Sequence, residues 1–211
     1  MNTLDSRCLR LGDCYAQKFA RQGEFRYTVS AGAYQTACSA TDSGETYSIT
    51  VQDGHESREP KQHIVTVSRG KGGLTVDTPS LTVGEGDTVL WYTTDGTLGF
   101  SVSGSGPELQ FGNGALKAEA IYTHAFGVDG DVQWADPAHG DIGGSVHVGS
   151  AVCKSDAERD QWLERLAQPA AFEIRDGRVL TESADIVVGQ TVFWKVWDGD
   201  GMAVVDKRLI A

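Results

Sequence analysis

Residues 116–148 read Leu116-Lys-Ala-Glu-Ala-Ile-Tyr-Thr-His-Ala-Phe-Gly-Val-Asp-Gly-Asp-Val-Gln-Trp-Ala-Asp-Pro-Ala-His-Gly-Asp-Ile-Gly-Gly-Ser-Val-His-Val148. Apolar and polar residues alternate in Asp131-Val-Gln-Trp134 and in Ser145-Val-His-Val148. That is the period of a half-buried strand, not of a helix. With Tyr122-Thr-His-Ala-Phe126 ahead of them, the stretch describes three strands and one short loop, 136–142.

The same pattern occurs twice. Segment 9–29 matches 116–136 in register: Leu9 with Leu116, Tyr15 with Tyr122, Phe19 with Phe126, Gly23 with Gly130, Phe25 with Val132 and Tyr27 with Trp134. Gly44-Glu-Thr-Tyr-Ser-Ile-Thr-Val51 then echoes Gly144-Ser-Val-His-Val148. A second pattern also repeats. Leu81-Thr-Val-Gly-Glu-Gly-Asp-Thr-Val-Leu-Trp91 parallels Ile186-Val-Val-Gly-Gln-Thr-Val-Phe-Trp194, each tryptophan standing four residues before Asp-Gly, and Val205 falls where Val102 does. Ala171-Phe-Glu-Ile174 parallels Gln62-His-Ile-Val-Thr-Val67. Internal repetition sets the organisation. The chain runs as a second half (1–52), a complete unit (60–150), a helical linker (153–169) and a first half (170–211).

A lone half-sandwich exposes an apolar face and open strand edges, so the terminal halves must find a partner. The expected fold is all-β: two Greek-key β-sandwiches, one complete over 60–150 and one circularly permuted from 1–52 plus 170–211. One α-helix joins them. Pairing within one chain gives a monomer; pairing between chains gives a strand-exchanged oligomer. The helix is expected at about 155–167, with Ser155 and Glu158 as a capping box, Trp162, Leu163 and Leu166 as its apolar stripe, and Pro169 as its stop.

Composition fits this reading. The 211 residues suffice for two sandwiches of roughly 100 residues each. A 40% hydrophobic content supplies a core, and 26 glycines against 5 prolines suit many short strands and turns such as Ser103-Gly-Ser-Gly106. With 29 acidic and 18 basic residues the net charge is -11, which repels phosphate backbones and argues against nucleic acid. No apolar run reaches the ~18 residues of a membrane span. Met1 to Asp13 lacks the apolar centre of a signal peptide, so the expectation is a cytoplasmic protein or an exported one whose leader is gone. Cys8, Cys14, Cys38 and Cys153 have no zinc-site spacing and form two disulfides or none, reduced thiols being the favoured state.

The strands "LTVGEGDTVLW", "FSV", "YTHAF", "GDVQW" and "DPAHGDIGGSVHV" together resemble small blue copper proteins, the cupredoxins of the plastocyanin and amicyanin type. In that family copper lies between a His on an early strand and a loop of form Cys-x-x-His-x-x-Met, whose thiolate is the strong ligand. By this resemblance Phe100 takes the place of the first His, Asp136 of the Cys, His139 of the second His and Ile142 of the Met. The permuted unit carries Ala203 (or Met202), Val29, Gly32 and Gln35 at those places. With the thiolate gone, no blue copper centre is expected and no cofactor is implied. The weak candidates for residual metal binding are His139, Asp136 and Asp141, and copper at such a non-blue site is the one metal the resemblance allows.

The remaining histidines read as structural. His124 sits on a strand, His147 alternates with core-facing Val146 and Val148, and His55 and His63 carry no pattern. Trp91, Trp134, Trp194 and Tyr27 are expected in the core. Trp197 follows Trp194 by three, which puts it on the opposite side and makes it the candidate interface anchor. Nucleophile-elbow, Walker, zincin and Rossmann motifs do not occur. The expected function is a non-catalytic structural or interaction protein, a scaffold or accessory subunit of a larger assembly with a protein partner. The alternative is a copper-binding or electron-transfer protein with a non-blue site around His139.

Overall fold

A computed structural model describes residues 3–32, 45–53 and 59–210. Cys38, His55 and Gln35 lie outside the described residues. The fold is all-β with one α-helix. The first nine strands are β1 (Asp13–Lys18), β2 (Gly23–Ala31), β3 (Tyr47–Gln52), β4 (Gln62–Gly70), β5 (Gly73–Val76), β6 (Ser80–Gly84), β7 (Thr88–Tyr92), β8 (Phe100–Gly106) and β9 (Leu109–Gly112). Then follow β10 (Ala120–Ala125), β11 (Gly130–Ala135), β12 (Gly143–Gly149), α1 (Asp156–Leu166), β13 (Ala170–Arg175), β14 (Arg178–Val179), β15 (Ser183–Val187), β16 (Thr191–Val196) and β17 (Val205–Asp206).

The strands form three sheets. An eight-stranded sheet runs β14-β13-β16-β10-β1-β7-β4-β5, a five-stranded sheet runs β6-β3-β2-β8-β9, and a four-stranded sheet runs β15-β12-β11-β17. The five-stranded sheet completes one sandwich with the β1 to β5 side of the long sheet, and the four-stranded sheet completes a second with the β10 to β14 side. The two sandwiches therefore share one continuous sheet through the β1–β10 pair. Tyr15 and Tyr122, counterparts in sequence, face each other there. Each also lies beside the corresponding tryptophan, Tyr15 opposite Trp91 and Tyr122 opposite Trp194. Both aromatic pairs have ring centroids 5.4 Å apart, and all four side chains are fully buried. Trp134 and Tyr27 are buried with them.

The expected domain assignment does not hold. β2 and β3 hydrogen-bond to β8 and β6, all within residues 1–112, while β11 and β12 bond to β17 and β15. β2 and β3 thus join strands that follow them within 1–112, not 170–211, and β11 and β12 join 170–211. Connection length explains the choice: residues 53–61 bridge β3 and β4 directly, whereas pairing the chain ends would close a loop of most of the chain. Nor does the helix join the two sandwiches. It connects β12 to β13 inside the second one.

That helix starts where Ser155 accepts a hydrogen bond from the Glu158 amide, at 3.2 Å. The Glu158 carboxylate returns to the Lys154 amide, one residue earlier than a standard box. Its stripe is narrower than expected. Trp162 donates its indole N–H to the Val188 carbonyl and, with Leu166, packs beside Gly189, while Leu163 stays exposed.

Strand exchange does occur, but inside the chain. Before β1, Asp5 bridges Val205 of the second sandwich, and Leu9 then bridges Phe100 of the first. Before β10, β9 pairs with β8 of the first sandwich, and Leu116 then bridges Met202 of the second. The two arms also bond to each other where they cross, Asn113 donating to the Ser6 carbonyl at 2.7 Å. Ser6 and Asn113 do the same work on opposite sides. The Ser6 hydroxyl accepts from the Val204 amide, and the Asn113 side-chain oxygen accepts from the Val102 amide. Val204, not Val205, is therefore the counterpart of Val102, and Met202 that of Phe100.

Candidate functional site

The end of the second sandwich where β11 leaves for β12 gathers three of the four expected relic positions. Asp136, His139 and Ile142 lie on one loop closed by backbone hydrogen bonds from the Asp136 amide to the Ile142 carbonyl and from the Ile142 amide to the His139 carbonyl, both 2.9 Å. Phe100 is not with them. It is buried in the first sandwich, paired with Ala31 and bridged by Leu9. The residue that completes the set is Met202, which shares a cavity with His139 and Ile142. The physical reason is the strand pairing above, which brings 170–211, not 60–112, against this loop.

Asp136 is 1% exposed, yet its carboxylate is fully engaged. One oxygen accepts from the Ala138 and Ala203 amides, each at 3.2 Å, and the other lies 2.6 Å from Nδ1 of His139. A buried carboxylate needs this many donors to offset its lost hydration. The bond to Ala203 ties the loop to the segment that leads into β17, the neighbour of β11 in the same sheet. Because a carboxylate only accepts, Nδ1 of His139 is assigned as the donor, which leaves Nε2 to the solvent-open side. The His139 side chain is 55% exposed.

The cavity beside it holds about 470 Å³. Its floor is apolar: Leu116, Ile142, Ile174, Val196 and Met202, all buried. Its rim is acidic: Asp141, Asp176, Asp198 and Asp200, with His139 among them. The rim is built on tight turns. Asp176 and Gly177 both take positive φ, 51° and 67°, in the two-residue hairpin joining β13 to β14, and Asp176 donates its amide to the Asp198 carboxylate at 2.6 Å. Gly199 and Gly201, at φ 125° and 117°, carry the chain around to Met202.

This arrangement does not fit the copper centre that the resemblance would imply. A type 1 site takes a thiolate and two imidazoles. Here the thiolate position is a carboxylate already engaged by two amides and by the one imidazole present, and the other places hold a thioether and a hydrocarbon. Among the described residues no group of three or more His, Cys, Asp or Glu is arranged to hold a metal ion. The chain matches no family model, no curated protein and no solved structure.

The other singled-out residues have internal partners. His124 is buried, with Nδ1 2.6 Å from Asp13, whose carboxylate also accepts from the Tyr122 hydroxyl. His147 is exposed and bonded to Asp131. Trp197 lies on the side opposite Trp194 but is only half-exposed. It donates to the Glu173 carboxylate at 2.9 Å, and the Lys195 ammonium sits 3.1 Å from its ring centroid. Its polar and aromatic surfaces are taken up on its own sheet, which weakens it as an interface anchor. Among the described residues Cys8, Cys14 and Cys153 form no disulfide with one another, and burial pushes the Cys14 thiol up. Sequence reasoning passed over His63, whose Nε2 lies 2.8 Å from the fully buried Asp87, and the acidic Asp198-Gly-Asp-Gly201 rim. The one sequence signal for that rim was the Asp-Gly four residues past Trp194.

Proposed function

We propose that this chain is a non-catalytic interaction protein, a pair of degenerate cupredoxin-like sandwiches in which the former metal end of the second has become a recognition cavity. One observation carries the reading: the Asp136 carboxylate spends its acceptors on Ala138, Ala203 and His139, so the loop is braced from within. What the cavity offers is an apolar floor under a ring of carboxylates. Its chemical complement is a cationic group on an apolar stem, such as a lysine or arginine side chain of a protein partner. The acidic surface as a whole steers such a partner toward it.

The test is a copper titration and a peptide titration of the full chain. Cupric ion is expected to produce no intense band at about 600 nm, where thiolate-to-copper charge transfer absorbs. A short lysine-leucine peptide is expected to shift amide resonances of Gly199, Gly201 and Ile142. A blue protein, or shifts confined elsewhere, would overturn the proposal. The alternative of a non-blue copper site draws on His139, Asp141 and Met202 sharing one cavity. It requires cupric ion to raise the Tm and His139→Ala to cancel the rise.

A further inference from the structure

A second cavity, of about 840 Å³, lies over the outer face of the five-stranded sheet. Its size falls within the range of roughly 300–1,000 Å³ in which ligand sites fall, and its lining sets a row of serine and threonine hydroxyls among apolar and glycine surface. Strand alternation sets the chemistry. Residues 26, 28 and 30 of β2 face outward opposite 105, 103 and 101 of β8, giving the cross-strand pairs Arg26–Ser105, Thr28–Ser103 and Ser30–Ser101. The result is a flat array of hydroxyls crossed by one guanidinium.

Charge is the second observation. In a chain of net charge -11, no Asp or Glu lines this cavity among the described residues, while Arg7, Arg26 and Lys117 do. Arg7 is held by Asp5 in a two-toothed ion pair. Arg26 and Lys117 have no carboxylate within ion-pair distance among the described residues. Glu24, the next outward residue on β2, is outside the lining. Lys117 reaches the Gln110 side chain at 3.4 Å, and Gln110, Ser105 and Arg26 occupy one register row across three strands. Arg26 and the Gln110 that Lys117 meets thus stand about two strand spacings apart, on the order of 10 Å, with the Ser105 hydroxyl between them.

We infer that this face binds a hydroxyl-rich chain bearing spaced carboxylates, that is, an acidic polysaccharide of uronate sugars. The hydroxyl array donates to and accepts from sugar hydroxyls. The Arg26 fork takes one carboxylate and the Lys117 ammonium another. A densely charged polyanion such as a nucleic acid fits poorly, because two cations cannot balance its charge against the negative field of the whole chain. The site is separate from the His139 cavity and does not depend on the function proposed for it.

Calorimetric titration of the full chain with a galacturonate hexamer, beside maltohexaose and a heparin hexamer, tests the inference. The galacturonate is expected to bind with an affinity that falls as salt rises. Arg26→Ala should weaken it at least tenfold and Ser103→Glu should abolish it, both leaving the circular dichroism spectrum unchanged, while Arg159→Ala on the helix has no effect. The inference is overturned if galacturonate gives no binding, if maltohexaose binds as tightly, if the heparin hexamer binds more tightly, or if Arg26→Ala leaves the galacturonate affinity intact.

Discussion

The corresponding ends of the two sandwiches differ by one filled space. In the first, the chain from Trp91 to Phe100 passes through Leu98, and both Leu98 and Phe100 are buried. In the second, the path from Trp194 to Met202 is one residue shorter, offers Asp200 and Gly201 instead of an apolar plug, and ends on a slimmer side chain. Among the described residues, the first end buries hydrocarbon at these two positions; the second keeps a cavity with an acidic mouth. At these positions the two ends differ by a leucine and a ring, not by a strand.

The largest expected effect breaks the comparison outright. Trp194→Ala removes a ring stacked on Phe172 and packed edge-on to Trp134, and should cost about 3–5 kcal/mol in urea unfolding. Because the sandwiches share a sheet, unfolding should remain one transition for both halves. Two resolved transitions would show that the halves are independent. Next comes Asp136→Ala, which strips a partner from two amides and His139. A loss of about 1–3 kcal/mol is expected, together with line broadening at Ala203 in amide spectra. Met202→Phe copies the ring of the first end onto the second. It should change stability by no more than about 1 kcal/mol while abolishing the peptide-induced shifts at Ile142. Retained shifts would mean that the cavity is not where the peptide binds.

The smaller effects are pH-dependent and also differ between the halves. Burial, together with the neighbouring Tyr47 and Asp77, outweighs a lowering contact with Trp91 and pushes the Tyr27 phenol up to about 12. Its second-sandwich counterpart is Trp134, which does not titrate. A raised phenol ionises first in the unfolded chain. Its contribution is therefore complete below about pH 10 and fades as pH climbs toward about 12. Tyr27→Trp should flatten that alkaline decline in stability. On the four-stranded sheet, the hydrogen bond that His147 donates to Asp131, together with the Asp131 charge, raises His147 above its ordinary value of 6.5. Any stabilisation from that pair is present below 6.5 and lost as pH rises through the raised value. Proton NMR titration of Asp131→Asn should bring His147 back down.

Much of the strand content was legible because alternation and paired tryptophans survive in both copies. Which half pairs with which was not, since Trp91 and Trp194 offer the same face and edge to either partner. The decision lies in connection lengths, which pattern matching ignores. At the site, the Asp136-x-x-His139 spacing was visible, but assigning 60–112 rather than 170–211 to this loop put Phe100 where Met202 stands, and the one-residue shortening before Met202 set Ala203 beside it as the aligned residue. Asp87 was hidden for another reason. It accepts from the Lys61 and Gly84 amides and bonds His63, whereas its counterpart Gln190 covers the same turn through the Val187 amide. A charged and a neutral residue do one job, so residue type alone does not reveal it.

The crossed arms at Asp5 and β9 bear on how the chain can be divided. Each sandwich is finished by a segment that precedes the other one, so neither repeat is self-sufficient. A polypeptide of one repeat, residues 1–107, would carry an arm with no groove of its own to fill, and a twin molecule is the natural donor of one. Two such chains would trade arms and zip their β1 strands together, rebuilding the eight-stranded sheet as a symmetric dimer. A monomer at every concentration in sedimentation equilibrium would contradict that expectation. In the present chain the two halves are joined by a peptide bond, so the same exchange of arms takes place within one molecule.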